Sequence, residues 1–272
     1  MDIRDKVVLL TGASRGLGVD MALEFAAKGS RLALAARSAE GLEETAASIG
    51  SGTEVITIPT DVSDLTSLNE LVNAVQDKFG HIDVLVNNAG LEQVWDFEAM
   101  DPALIKQIVG VNVTGLMWLT RLVLPEMIER RSGHIVNIAS TAGLVPVPHN
   151  SVYSATKHAV VGFSHSLRME MLDHGVGVSV VCPGFVNAGM FAEWGRKPPG
   201  VSTLNDTKDV ARATVDAVVR NRSEVVIDGG PQRIGDVLQA LSPSVATLTY
   251  KLSGALGYFR DQARINSEKP KG

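Results

Sequence analysis

Short apolar runs, many of them β-branched, recur along the chain at Lys6–Leu10 ("KVVLL"), Arg31–Ala36, Glu54–Pro59, Ile82–Asn87, His134–Ala139, Val176–Cys182 and Glu224–Ile227. Between them lie longer stretches in which apolar residues return every three or four positions, at Val19–Lys28, Leu65–Phe79 and Ala103–Ile128. The first pattern predicts strands and the second helices. Strands alternating with helices require crossover connections and therefore a parallel sheet, and near-continuous apolar strands must be covered on both faces. The expected architecture is α/β: a doubly wound, seven-stranded parallel sheet with helices on both faces.

Punctuation supports these elements. Ser63 or Asp64, Asp101 followed by Pro102, and Thr207 stand where helix starts are expected, while Gly29, Gly80 and Gly175 stand at helix stops. From Phe185 to Asp206 the chain is rich in Gly and Pro, and we expect a lid or binding loop there. Beyond it, Ile234, Leu238, Leu241, Val245, Leu248, Leu252 and Leu256 form an apolar stripe at helical spacing, interrupted by Pro243. Residues 1–230 are thus expected to form one catalytic domain and 231–272 a C-terminal extension of two amphipathic helices packed on it. That stripe can rest on the body or on a neighbouring subunit, cover a substrate cleft, or make peripheral contact with membrane lipid.

Composition narrows the partners. The net charge is -5, from 25 basic and 30 acidic residues, with no basic stripe of the kind nucleic-acid binding needs. Cys182 is the single cysteine, so no intrachain disulfide can form, and its apolar surroundings predict a buried side chain. The opening "MDIRDKVVLL" reads as neither a secretory signal nor a membrane span, so we expect a cytoplasmic protein. The six histidines (81, 134, 149, 158, 165, 174) lack ligand spacing, which predicts no metal and places them at the surface or at interfaces.

The chemistry starts at "TGASRGLG", residues 11–18, a glycine-rich turn between a predicted strand and helix. Gly12 permits the tight turn, Gly16 and Gly18 allow close approach of backbone to a pyrophosphate and of helix to strand, and the amides at the helix start face an anion. Ser14, Arg15 and Leu17 belong to the same loop. The second strand ends in Ala36 and Arg37, where many NAD-binding sheets carry an acid for the ribose hydroxyls. Arg37, with Arg15, suits the 2′-phosphate of NADP, because a guanidinium matches phosphate oxygens bidentately. NADP(H) is therefore expected over NAD(H). Tyr153 and Lys157 lie four apart and share a helix face, although an isolated pair of this kind is ordinarily a lysine stem beside a half-buried tyrosine.

Taken in order, "TGASRGLG", "NNAG" at 87–90, Asn112 in "VNVTG", Ser140 in "IVNIAS", "YSATK" at 153–157 and Pro183-Gly184 resemble the short-chain dehydrogenase/reductase superfamily over about residues 5–230. The resemblance implies a Rossmann-like fold and hydride transfer between a nicotinamide and a carbonyl or secondary alcohol. It makes Tyr153 the general acid/base, with Lys157 lowering its pKa and bonding the nicotinamide ribose, Ser140 orienting the substrate oxygen and Asn112 kinking its helix and supporting a proton relay. For the cofactor it implies contacts at Asp61 and Val62, at Asn88, Ala89 and Gly90, and at Pro183, Gly184 and Val186. Where the family carries a threonine just after the proline-glycine pair, this chain has "FVNAG", leaving Asn187 as the candidate replacement. A homodimer or homotetramer is implied as well. The apolar content of the lid favours an apolar or lipid-like small-molecule substrate. The alternative, a catalytically silent dinucleotide-binding regulator or membrane-surface protein, usually lacks the tyrosine or the lysine, and both are here.

Overall fold

The computed structural model describes residues 1–188, 191, 197–199, 204–227, 244, 248 and 251–268. Seven strands form one sheet: β1 (Val7–Thr11), β2 (Arg31–Ala36), β3 (Val55–Pro59), β4 (Val84–Asn87), β5 (Gly133–Ile138), β6 (Val176–Pro183) and β7 (Glu224–Ile227). All adjacent pairs are parallel, in the order β3-β2-β1-β4-β5-β6-β7. The order reverses between β1 and β4, and such a switch point opens a crevice at the carboxyl ends of the strands.

The helices are α1 (Leu17–Ala27), α2 (Ala39–Ile49), α3 (Leu65–Phe79), α4 (Pro102–Val109), α5 (Leu116–Glu129), α6 (Ser151–Glu170), α7 (Thr207–Val219) and α8 (Ala255–Glu268). They cover both faces of the sheet, and β1 divides its side chains between them with the strand period of two. Val8 and Leu10 join Met21, Ala22 and Phe25 of α1 and Val215 of α7 on one face. Val7 and Leu9 join Leu68 and Val75 of α3 and Val123 of α5 on the other. Each large apolar side chain removed from water in this way contributes about 1.5–3 kcal/mol.

Asp64 caps α3 and Asp101 caps α4, each accepting a backbone N–H two residues on. The start of α7 lies one residue earlier than predicted: Asp206 is the cap, accepting from the Lys208 N–H at 2.8 Å, and Thr207 is already helical. A carboxylate accepts a charge-assisted bond where a hydroxyl gives a neutral one.

The stretch predicted as one helix over Ala103–Ile128 is broken. Between α4 and α5 the chain makes a π-helical turn, Gly110–Gly115, with Asn112 buried in it. The widened turn crosses the loop after β3 so closely that a Cβ on Gly115 would stand 2.1 Å from the Val62 carbonyl oxygen. Only glycine permits that crossing.

The tail also departs from the predicted stripe. Leu252 is 79% exposed, whereas Ala255, Phe259, Gln262 and Ala263 form the buried face of α8. Phe259 and Ala263 pack on Val94, with Val147 and Phe185 alongside, and Asn266 donates to the Val94 carbonyl at 2.8 Å. Ile234, Leu238, Leu241, Pro243 and Val245 lie outside the described residues, as does most of the predicted lid beyond Ala188. Among the histidines, His134 is not at the surface: it is buried on β5 and bonds the Ser179 hydroxyl at 2.8 Å, and burial lowers its pKa to about 3. Cys182 is fully buried on β6, as its surroundings predict.

Candidate active site

A cleft of about 830 Å³ opens at the carboxyl ends of the strands. Its floor at one end is the turn from β1 to α1. Gly12 and Gly16 adopt left-handed backbone conformations, with φ of 67° and 56°. Gly18 lies so close under the turn that an added Cβ would meet the Gly12 carbonyl at 2.1 Å. Gly16 is the N-cap of α1 and supplies no side-chain acceptor, so the amides of the first turn are available to an anion in the cleft. Ser14, Arg15 and Leu17 line the same region, with Arg37 and Asp61 beyond them. Asp61 accepts from both the backbone N–H and the hydroxyl of Ser63, at 2.9 and 2.7 Å. The Ser63 hydroxyl and, more weakly, the Arg37 guanidinium hold its carboxyl below the usual aspartate range.

The segment after β4 forms one wall. Asn88 donates to the Thr11 and Gly12 carbonyls, and the Thr11 hydroxyl accepts from the N–H groups of Asn88 and Ala89, so "NNAG" fastens the glycine turn to the sheet. Val62, Asn88, Ala89 and Gly90 all line the cleft, as do Pro183, Gly184 and Val186 after β6. Asn187 does not: it is exposed, and its backbone N–H donates to the Asn205 carbonyl.

At the other end stand Ser140, Tyr153 and Lys157. Ser140 follows β5 and accepts the Ala142 N–H at 3.2 Å, capping a short 3-10 turn, while its hydroxyl donates to the Pro183 carbonyl at 3.4 Å and lies close enough to the Tyr153 phenol to lower its pKa. Lys157 is 5% exposed, donates to the Ile138 carbonyl at 2.8 Å, and places Nζ 5.5 Å from the Tyr153 ring centroid. Asn112, like Asn187, does not line the cleft. Its amide is spent behind the wall, on the Leu91 backbone and the Thr156 hydroxyl. A Cβ on Gly90 would lie 3.6 Å from Asn112 Oδ1 and 3.7 Å from Lys157 Nζ, which places the two groups around one small space.

The electrostatics correct one expectation. Lys157 does not bring the phenol of Tyr153 down in the protein alone. Burial raises its pKa, the Glu92 carboxylate raises it further, and the Ser140 bond only partly offsets them. Burial also lowers Lys157 to about 8, against the opposing pull of Glu92. Sequence spacing reports which groups meet but not how much water surrounds them, and here desolvation outweighs the pairing.

Two groups of residues in the cleft were not singled out from the sequence. Glu92 and Asn150 line it beside Tyr153, and Ala255 and Phe259 of α8 close its far end. The signal for Glu92 was a lone carboxylate two residues after "NNAG"; for Phe259 there was a better helical register than the leucine stripe.

Comparisons with known proteins agree with this arrangement. A profile of the short chain dehydrogenase family matches residues 6–199. The ketoacyl reductase HetN of Nostoc sp. is 39% identical over 265 residues, covering 95% of this chain and 92% of its own. The crystal structure of the 3-ketoacyl-(acyl-carrier-protein) reductase from Brucella melitensis complexed with NADH superposes with a TM-score of 0.78 at 29% identity, covering 84% of this chain and 98% of that one. An actinorhodin polyketide ketoreductase variant with NADPH gives a TM-score of 0.76 at 31% identity, covering 83% and 97%. With the motifs in order, the sheet topology and these matches together, the chain belongs to the short-chain dehydrogenase family and is an oxidoreductase.

Proposed function

We propose that this protein is an NADP(H)-dependent reductase of a carbonyl compound, with Tyr153 as general acid/base. The observation that carries the reading is the meeting of Ser140, Tyr153 and Lys157 in the cleft that also holds the glycine turn. When bound, the nicotinamide dinucleotide supplies the hydride that arrives at the carbonyl carbon. Ser140 holds the carbonyl oxygen against the phenol, and Tyr153 gives its proton to that oxygen as the alcohol forms. A phenol held above its ordinary pKa stays protonated before reaction, which suits an acid and hence reduction. Lys157, anchored by the Ile138 carbonyl, would hold the nicotinamide ribose and returns a proton to the phenolate, with Asn112 supporting that relay from behind the wall.

Arg15 and Arg37 suit the 2′-phosphate, the glycine turn the pyrophosphate, Asp61 the adenine, Asn88–Gly90 the adenosine ribose, and Pro183, Gly184 and Val186 the nicotinamide. Val147, Phe185 and Phe259 give the substrate end an apolar lining, which supports an apolar substrate. The HetN relative and both matched reductases act on carbonyls by name, which agrees with reduction. A buried lone Cys182 suits a reducing cytoplasm.

The test is NADPH oxidation against a panel of aldehydes, ketones, quinones and acyl thioesters, with Tyr153→Phe alongside. Turnover by the wild type and a loss of at least about a hundredfold in the variant, with NADPH affinity kept, is the expected result. A variant that keeps most of its kcat would remove Tyr153 from the mechanism.

A further inference from the structure

We propose that Glu92 and Asn150 form a recognition corner for a hydroxyl or amino group carried by the substrate next to its reacting carbonyl. This rests on the carbonyl-reductase reading above and narrows its substrate class.

Asn150 is the N-cap of α6, a position where an asparagine side chain ordinarily accepts a first-turn amide. Here it makes no such bond. Its Nδ2 donates instead to Glu92 Oε1 across the cleft wall. Asn150 is 1% exposed, and its Oδ1 is buried with no donor to meet it. A buried acceptor left in that state costs about 1–3 kcal/mol, and a helix start gives up a further part of its stability when its cap is diverted.

Glu92 adds to the imbalance. Asn150 is the one hydrogen-bond donor that the described residues bring to its carboxyl, which can accept about four such bonds. The corner is therefore rich in acceptors and short of donors, while Val147 and Phe259, which line the same cleft, are apolar. Burial pushes the Glu92 carboxyl above its usual range, with Asn150 and Lys157 pulling it back, so it is a group whose charge a bound ligand can decide.

Position fixes where the donor must sit. Asn150 stands at the N-cap of α6, three residues before Tyr153, and the Glu92 carboxylate acts directly on the phenol, so the corner borders the reacting carbonyl. A carbonyl held at the Tyr153 phenol thus brings its alpha or beta carbon to the corner. The remainder of the substrate runs toward Phe259. The segment is also held firmly: the Trp95 N–H donates to the His149 carbonyl at 2.8 Å and Asp96 pairs with His149 at 2.6 Å, so both halves of the corner are cross-linked beyond Glu92 itself.

The probes are acetophenone, its alpha-hydroxy analogue and its alpha-amino analogue, compared by kcat/KM with NADPH. The wild type is expected to favour at least one donor-bearing analogue by about tenfold or more, on the scale of one hydrogen bond to a carboxylate. Glu92→Leu and the closer Glu92→Gln should bring that ratio toward one in the leucine variant and weaken it in the glutamine variant, with NADPH affinity measured by fluorescence to show that the fold is kept. A hydroxy preference identifies a neutral donor and an amino preference a cation; either supports the corner. A wild-type ratio near one, or a ratio that survives both substitutions, overturns it while leaving carbonyl reduction intact. Failure of the wild type to reduce any carbonyl, probe or panel compound, would strike the parent reading instead.

Discussion

Asn112 and Leu91 are joined by two reciprocal hydrogen bonds, from the Leu91 N–H to Oδ1 at 2.7 Å and from Nδ2 to the Leu91 carbonyl at 2.8 Å. A side chain thereby imitates a neighbouring strand and holds the segment that follows β4. The same Nδ2 reaches Thr156 on α6, so the π-helical turn, the cleft wall and the helix bearing Tyr153 share one polar contact. Asn112→Asp keeps the acceptor and removes both donors. Each bond lost is worth about 1 kcal/mol, and we expect kcat to fall about tenfold or more while NADPH affinity moves little. Stopped-flow hydride transfer and fluorescence titration separate the two. Unaltered kcat would show that the wall needs no such tie.

Lys157 gives a pH signature in stability. Folding lowers its pKa from 10.5 to about 8, so between those values the folded chain binds fewer protons than the unfolded chain. The stability contributed by this group therefore rises with pH across that window. Relative to Lys157→Met, the wild type should gain up to roughly 3 kcal/mol between pH 7 and pH 10.5. Denaturant melts of both proteins at several pH values measure the difference, and a flat difference would mean that the amine is better solvated than its burial indicates.

The proposed preference for NADP(H) draws on Arg15 and Arg37. Arg37 follows β2 where an acid would select NAD, and it lies in the cleft. Arg37→Glu should lower kcat/KM for NADPH about a hundredfold, since a charge-assisted bidentate pair is replaced by repulsion, and leave NADH nearly untouched. Equal losses with both coenzymes would place the arginine in structure and not in selection.

Phe259→Ala tests the far wall. The ring is 5% exposed, stacks near Phe185 with centroids 6.3 Å apart, and covers Val94. Its removal should raise KM for long apolar ketones about tenfold, in line with the cost of a cavity at a buried aromatic, while NADPH affinity is kept. An unchanged KM would place α8 outside the substrate path.

The sheet was largely legible because its signal is local. Runs such as "RLALAA" and "EVVI" carry their own strand pattern, and the observed β2 and β7 coincide with them. The glycine turn and the "YSATK" pair were legible for the same reason, each being a short segment with fixed spacing. Periodicity alone missed the break at Gly110–Gly115, since it runs straight through "GVNVTG" and the contact with Val62 lies far away in sequence; only the family resemblance, through Asn112, pointed to a kink there. Glu92 was hidden in the same way. A carboxylate in a loop is ordinarily solvated, and only the fold brings Asn150, at the start of α6, against this one. The Tyr153 pKa followed from this, as residue spacing carries no measure of dielectric.

The bond from Asn266 to Val94 spans 172 positions along the chain. Contacts between such distant segments are reached only after their loop-closure entropy has been met, and they form behind the local elements. The glycine turn and its fastening by Asn88 are complete once β1 and β4 have paired. The two ends of the crevice thus rest on separate contacts, the glycine turn on β1 and β4 and the far wall on α8, so a change in α8 can reshape that wall while the fastening of the turn stays in place.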